Sequence, residues 1–148
     1  MFFRLFSFLK IIFALFICAI VCVCAVAPTV TAFPFEGQKE YYLYSPSSQS
    51  VIKSSLTLSD LPFLRGESIW LDREGKSNLE CEALVAELLA QYEAEVLKKE
   101  EFADGVSYYC YSEKLKKGII LDGVTVNLHL VVKENAVALG TPIIFGGY

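Results

Sequence analysis

The chain has 148 residues, 54% of them hydrophobic and 20% charged, with a formal net charge of −4. The apolar share is concentrated at one end: up to Ala27 only Arg4, Ser7 and Lys10 are not hydrophobic, and beyond it the composition is that of an ordinary soluble domain. The remaining 121 residues are enough for one compact core burying roughly two-thirds of its unfolded surface, which excludes a polytopic membrane protein, a disordered chain, a long repeat array and a two-domain enzyme.

Arg4 and Lys10 precede an unbroken apolar run from Ile11 to Ala27, and the next cation is Lys39. The positive-inside rule keeps the N-terminus cytoplasmic and sends the rest of the chain out. The run is long for a signal-peptide core and short for a spanning helix, so it reads either as a cleaved signal peptide or as a retained membrane anchor. Ala25-Val26-Ala27 has the small-x-small pattern but is followed by Pro28; Val30-Thr31-Ala32 before Phe33 is the better cleavage site. Cys18, Cys22 and Cys24 follow Ile17, Val21 and Val23 rather than the small residue a lipobox needs, so they read as apolar filler. The expected organisation is an export segment over 1–32, a linker over 33–40 containing Pro34 and Gly37, and one domain over 41–148.

Removing Arg4 and Lys10 from the 13 basic residues leaves 11 after Ala27, against all 17 acidic ones, a net charge of −6. Such a surface offers no footprint for nucleic acid, because each phosphate contact needs a cation, and membrane contact is expected only through the N-terminal segment. The cluster Lys114, Lys116 and Lys117 reads as a solvated turn.

Glu40 to Ser45 is aromatic and β-prone and ends in the turn cluster Pro46 to Ser50; Val51 to Leu58 is a second extended piece. Leu61 to Gly66 reads as an irregular turn, and Glu67 to Leu71 as a short strand closed by Asp72 to Lys76. Ser77 and Glu80 form a capping-box signature. Cys81, Leu84, Val85, Leu88, Leu89, Tyr92 and Val96 then recur at helical spacing, with Glu80, Glu82 and Glu87 near the positive end and Lys98 and Lys99 near the negative end of the dipole. A single long helix over about 78–100 follows. Val106 to Ser112 and Gly118 to Leu121 read as strands, Asp122-Gly123 as a two-residue hairpin turn, and Val124 to Val132 as an alternating strand that places His129 with Asn127 and Thr125 on its polar side. After Glu134-Asn135, Ala136 to Leu139 and Thr141 to Phe145 close the chain before Gly146-Gly147-Tyr148, a flexible end rather than a nucleotide cradle. The fold class is α+β, the helix packed on one face of a largely antiparallel sheet.

Tyr41-Tyr42-Leu43-Tyr44-Ser45 and Tyr108-Tyr109-Cys110-Tyr111-Ser112 share Tyr-Tyr-x-Tyr-Ser and raise the question of a duplicated half-domain. The later stretch carries a wider resemblance. Ser107-Tyr108-Tyr109-x-Tyr111-Ser112, Asp122-Gly123-x-x-Val126-Asn127-Leu128-His129, and Leu139-Gly140-Thr141-Pro142-Ile143-Ile144 with Tyr148 resemble the end of YwmB-like proteins. These are exported proteins of spore-forming Gram-positive bacteria, grouped with the TATA-binding-protein-like architecture. The resemblance implies an α+β fold and an exported location; it carries no activity, and a fold label is not DNA binding.

Two cysteines lie in the exported part. Cys81 sits on the helix stripe and Cys110 shares a strand face with Val106 and Tyr108, so the pair either meets across the helix–sheet interface as a disulfide or consists of two separately buried small hydrophobes. His129, the one histidine, has no motif around it and reads as an exposed or partly exposed strand residue; no metal site, catalytic centre or cofactor is indicated. Tyr42, Tyr44, Tyr109 and Tyr111 either form an exposed stacking surface for a sugar or peptide or pack inside the sheet. The expected function is a non-enzymatic envelope module with an envelope protein or glycan as partner. The alternative is a small envelope hydrolase using Cys110 or a serine with His129, and a third reading is strand addition at a sheet edge.

Overall fold

The computed structural model describes residues 10–19, 32–45, 51–72, 78–115, 118–134 and 136–145. The Pro46 to Ser50 turn, Ser77, Lys116, Lys117, Asn135, the Ala25 to Ala27 and Val30-Thr31 cleavage signals, Cys22, Cys24 and the end from Gly146 lie outside these residues. The chain divides into two units, Met1–Thr31 and Ala32–Tyr148. In the first, residues 10–19 are helical (α1) with exposed side chains. Among the described residues no helix is long and apolar enough to cross a membrane, so the expected export or anchor segment has no spanning helix in support of it.

The second unit is built on a seven-stranded sheet. Its strands are β1 (Gln38–Leu43), β2 (Val51–Lys53), β3 (Leu64–Asp72), β4 (Ala94–Phe102), β5 (Gly105–Ser112), β8 (Leu128–Lys133) and β9 (Ala136–Thr141), while β6 (Ile119–Leu121) and β7 (Val124–Val126) form a separate hairpin. The order is β2-β1-β3-β9-β8-β5-β4. Every pairing is antiparallel. The α+β class therefore holds.

The register assigns the faces. Lys39, Ile69, Leu139, Leu130 and Tyr108 form one cross-strand row. This is the helix-covered face. Helix α2 (Asn78–Gln91) buries Cys81, Val85 and Leu88 there, with Tyr92 just beyond its end, over Ile69, Cys110, Leu128, Leu130, Val137 and Leu139. The opposite face carries the row Glu40, Ser68, Gly140, His129, Tyr109 and Lys98. Its own small core is Val131, Ala138 and Ile144, flanked by Trp70 and Phe102. After a cis Thr141–Pro142 bond the chain lays Ile144 over this second face. Gly140 makes room for it: a Cβ there would sit 2.5 Å from Ile144 Cγ1 and 2.9 Å from the Ile144 backbone nitrogen.

The helix is shorter than its periodicity predicts. Its stripe holds as far as Tyr92, whose N–H still donates to Leu88 O, but Glu93 then takes a left-handed φ of 48° and the chain turns out of the helix. Lys114 Nζ donates to Gln91 O at 2.7 Å, and the Ser112 hydroxyl donates to Tyr92 O, so the terminal carbonyls are satisfied by β5 and the turn after it. Val96, Lys98 and Lys99 consequently belong to β4, paired along β5, and the expected lysines of the helix end are strand residues. Lys114 is a helix cap as well as a surface cation.

Two further expectations change. Residues 33–40 are not a linker: Phe33 is 1% exposed in the core, Ala32 and Phe35 pack against it, and β1 starts at Gln38. The strand expected over 124–132 breaks at Asn127. The buried amide of Asn127 accepts from Ser112 N and donates to Ser112 O and Leu115 O at 2.7 to 2.8 Å, pinning the end of β5 to the junction between β7 and β8. Asp122 and Gly123, with φ of 50° and 85°, make the expected hairpin turn.

Candidate functional site

The tyrosine motifs occupy β1 and β5, each second from an edge of the sheet with three strands between them. At roughly 4.8 Å per strand they are about 19 Å apart. Tyr42 is fully buried, its hydroxyl 2.8 Å from Ser68 Oγ and its ring edge-on to Phe145. Tyr109 is half-buried and stacked on His129 at 4.5 Å. Tyr44, under the Arg65 guanidinium, and Tyr111 are exposed, but they lie toward opposite ends of the sheet. The four residues thus form no shared stacking surface, because one member of each pair is spent on packing. Nor do the strands support a duplication: the edge neighbour follows β1 in the chain but precedes β5.

Cys81 and Cys110 are both buried with free thiols. Of the two readings left open by the sequence, the structure has the separately buried one: the thiols are not bonded, and each acts as a small apolar side chain. Burial pushes the Cys110 thiol up to about 12, which keeps it protonated and unreactive. Cys110 also lies on the helix-covered face, opposite His129. The pair cannot cooperate in thiol catalysis.

His129 is 1% exposed, contrary to the expected open strand position, because the C-terminal segment covers its face. Its Nε2 lies 3.2 Å from Ser107 Oγ, a serine–histidine contact that the sequence pattern did not reveal. The polarity of that contact decides its chemistry. The Ile144 backbone N–H donates to His129 Nδ1 at 3.2 Å, so Nδ1 carries no proton. Burial lowers the His129 pKa to about 4, against a smaller opposing influence of the Glu100 charge, and the ring is neutral with its one proton on Nε2. Nε2 thus donates to Ser107. A general base must accept the serine proton at that nitrogen, so the dyad is oriented the wrong way for nucleophilic catalysis. Ser107 is itself 1% exposed. Among the described residues no group of three or more His, Cys, Asp or Glu side chains is placed to hold a metal ion.

Glu67 is the buried acid that sequence reasoning missed. It alternates with Ile69 and Leu71, and so points into the helix-covered core at 4% exposure. Its Oε1 accepts from the backbone N–H groups of Ala32 and of Phe33, the latter at 3.0 Å; Oε2 is buried and has no hydrogen-bond partner among the described residues. Desolvation raises its pKa, with the Phe33 and Ala32 amides and the Lys39 charge opposing. Around it, the Tyr92 hydroxyl donates to Ala32 O at 3.0 Å and Lys39 Nζ to Phe33 O at 3.0 Å.

At the sheet margin, β4 is paired only with β5 among the described residues and is exposed along seven of its nine residues. Val96 and Leu97 are exposed there, beside a bulge, followed by Lys98, Lys99, Glu100 and Glu101. No protein-family profile, curated protein or solved structure matches the chain.

Proposed function

We propose that the chain is an exported cell-envelope module that binds through the β4 edge and performs no catalysis. Export rests on the Arg4, Lys10 and Ile11–Ala27 pattern together with the resemblance to YwmB-like exported proteins. The observation that carries the binding half is β4 itself: a nine-residue edge strand with β5 as its one strand partner among the described residues, exposed Val96 and Leu97, and a run of charges whose exposed ion pairs, Lys98–Glu100 at 2.8 Å and Lys99–Glu101 at 3.0 Å, an incoming strand can exchange. An extended partner segment adds a strand there through main-chain hydrogen bonds, its charges selecting the register. The bulge and the four consecutive charges also guard this edge against indiscriminate pairing, which suits a selective site. The inverted Ser107–His129 contact and the protonated Cys110 thiol support the non-catalytic half.

The test is a photo-crosslinking residue at Leu97, with a second at Val51 on the opposite edge, in the full chain produced in an exporting cell. An adduct formed at Leu97 and absent at Val51, located outside the cytoplasm, is the expected result. Equal labelling at both edges, or a chain confined to the cytoplasm, contradicts it.

A further inference from the structure

The environment of Glu67 coincides with the preferred cleavage site. The carboxylate meets the chain at Ala32 and Phe33, the two residues that flank the bond following Val30-Thr31-Ala32, and the compact unit begins at Ala32. Phe33 N is 3.0 Å from Oε1, and the second oxygen is buried without a partner among the described residues. An amide nitrogen brings one proton to this carboxylate; an ammonium at the same position brings three and a positive charge.

We infer that Glu67 is the receptor for a new N-terminus: hydrolysis of the Ala32–Phe33 bond during export gives Phe33 an α-ammonium that pairs with the Glu67 carboxylate inside the core. The inference rests on the export reading. Water is the co-reactant and the catalyst is a membrane endopeptidase that requires a small residue before the scissile bond. The amide C–N bond breaks, Ala32 leaves as a carboxylate and Phe33 keeps its nitrogen as ammonium, so atoms and charge balance.

The surroundings fit this product. The Phe33 ring is anchored edge-on to Tyr92 at 5.8 Å, and its carbonyl is held by Lys39, so the new terminus stays where the amide now lies. The ammonium supplies the partner that the buried oxygen otherwise lacks, turning a desolvated single charge into a pair. Loss of Ala32 removes the acceptor of the Tyr92 hydroxyl, and Tyr92 already lies close enough to feel the Glu67 charge. Because Phe33 is buried, cleavage has to precede closure of the domain around it, which ties processing to folding.

The full chain is produced in an exporting bacterial host, and the protein from the exported fraction is analysed by intact mass and N-terminal sequencing. Phe33 is the expected first residue. Its α-amine is then challenged at pH 7 with an acylating reagent, folded and in denaturant, in the wild type and in Glu67→Gln. Protection in the folded wild type, lost in Glu67→Gln, is expected; a rise of one pKa unit alone cuts the reactive amine about tenfold. Should Glu67→Gln fail to fold, an NMR titration of the wild-type amine decides: a pKa above the usual range of about 7.7 to 8.0 supports the pairing, and a value within it overturns it. An exported protein with a different N-terminus, or a Phe33 amine equally reactive in both proteins, overturns the receptor role while leaving export intact. An uncleaved chain found only in the cytoplasm removes the export reading itself.

Discussion

The backbone N–H of Ile144 donates to Nδ1 of His129 across the face opposite the helix. This bond makes a histidine into an anchor for the C-terminal segment, with Tyr109 stacked on its ring and Ser107 receiving its remaining proton. Only the neutral ring can accept from Ile144, so the anchor is pH-sensitive.

With the folded pKa lowered from 6.5 to about 4, the stabilisation is fully present above pH 6.5. It is lost as the pH falls toward 4, because the unfolded chain binds the proton first; the gap corresponds to about 3 kcal/mol. In the uncleaved chain Glu67, with its raised pKa, acts in the opposite sense, since its burial cost is relieved on acidification. Urea unfolding of the wild type against His129→Asn separates the two. The wild type loses stability relative to the variant between pH 7 and pH 4, and a pH-independent difference would contradict the assignment.

Gly140 is the second support of the same segment. Gly140→Ala drives a methyl against the Ile144 backbone. A loss of about 1 to 3 kcal/mol is expected by thermal or chemical unfolding. An unchanged midpoint would mean that Ile144 does not seat over Gly140.

Asn127 holds three backbone groups that lose this partner when its amide is removed. Asn127→Ala is expected to cost about 2 to 4 kcal/mol, one of the larger single-site effects in the chain. Hydrogen exchange provides the local check, since the Ser112 amide should become much faster exchanging than amides in the middle of β8.

Thiol counting tests the core. In the unit from Ala32 onward, Cys81 and Cys110 resist Ellman's reagent while folded, and both react once the protein is denatured without reductant. A denatured count of zero would indicate a disulfide that the structure does not contain.

Much of this fold is legible in the sequence because local chemistry and tertiary packing agree. The stripe from Cys81 to Tyr92, the Asp122-Gly123 turn and the alternation of Leu128 and Leu130 are such cases. Val96 shows where the agreement ends: it continues the helical spacing, but the left-handed Glu93 and the caps from Ser112 and Lys114 end the helix before it. His129 reads as surface because alternation assigns faces without saying what covers them; the covering is the C-terminal segment, held there by Ile144. Glu67 looks like an ordinary strand charge for the same reason. Its partners are 34 and 35 residues earlier in the chain, a separation no local pattern encodes.

Whether Ser107 and His129 could act as a catalytic pair turns on which nitrogen of His129 bears the proton. Long-range 1H–15N correlation NMR of the folded protein at pH 7 reads this directly. A neutral ring protonated at Nε2, with Nδ1 bare toward Ile144, is the expected result. A proton on Nδ1, leaving Nε2 free to take the Ser107 proton, would contradict the account and restore the hydrolase reading.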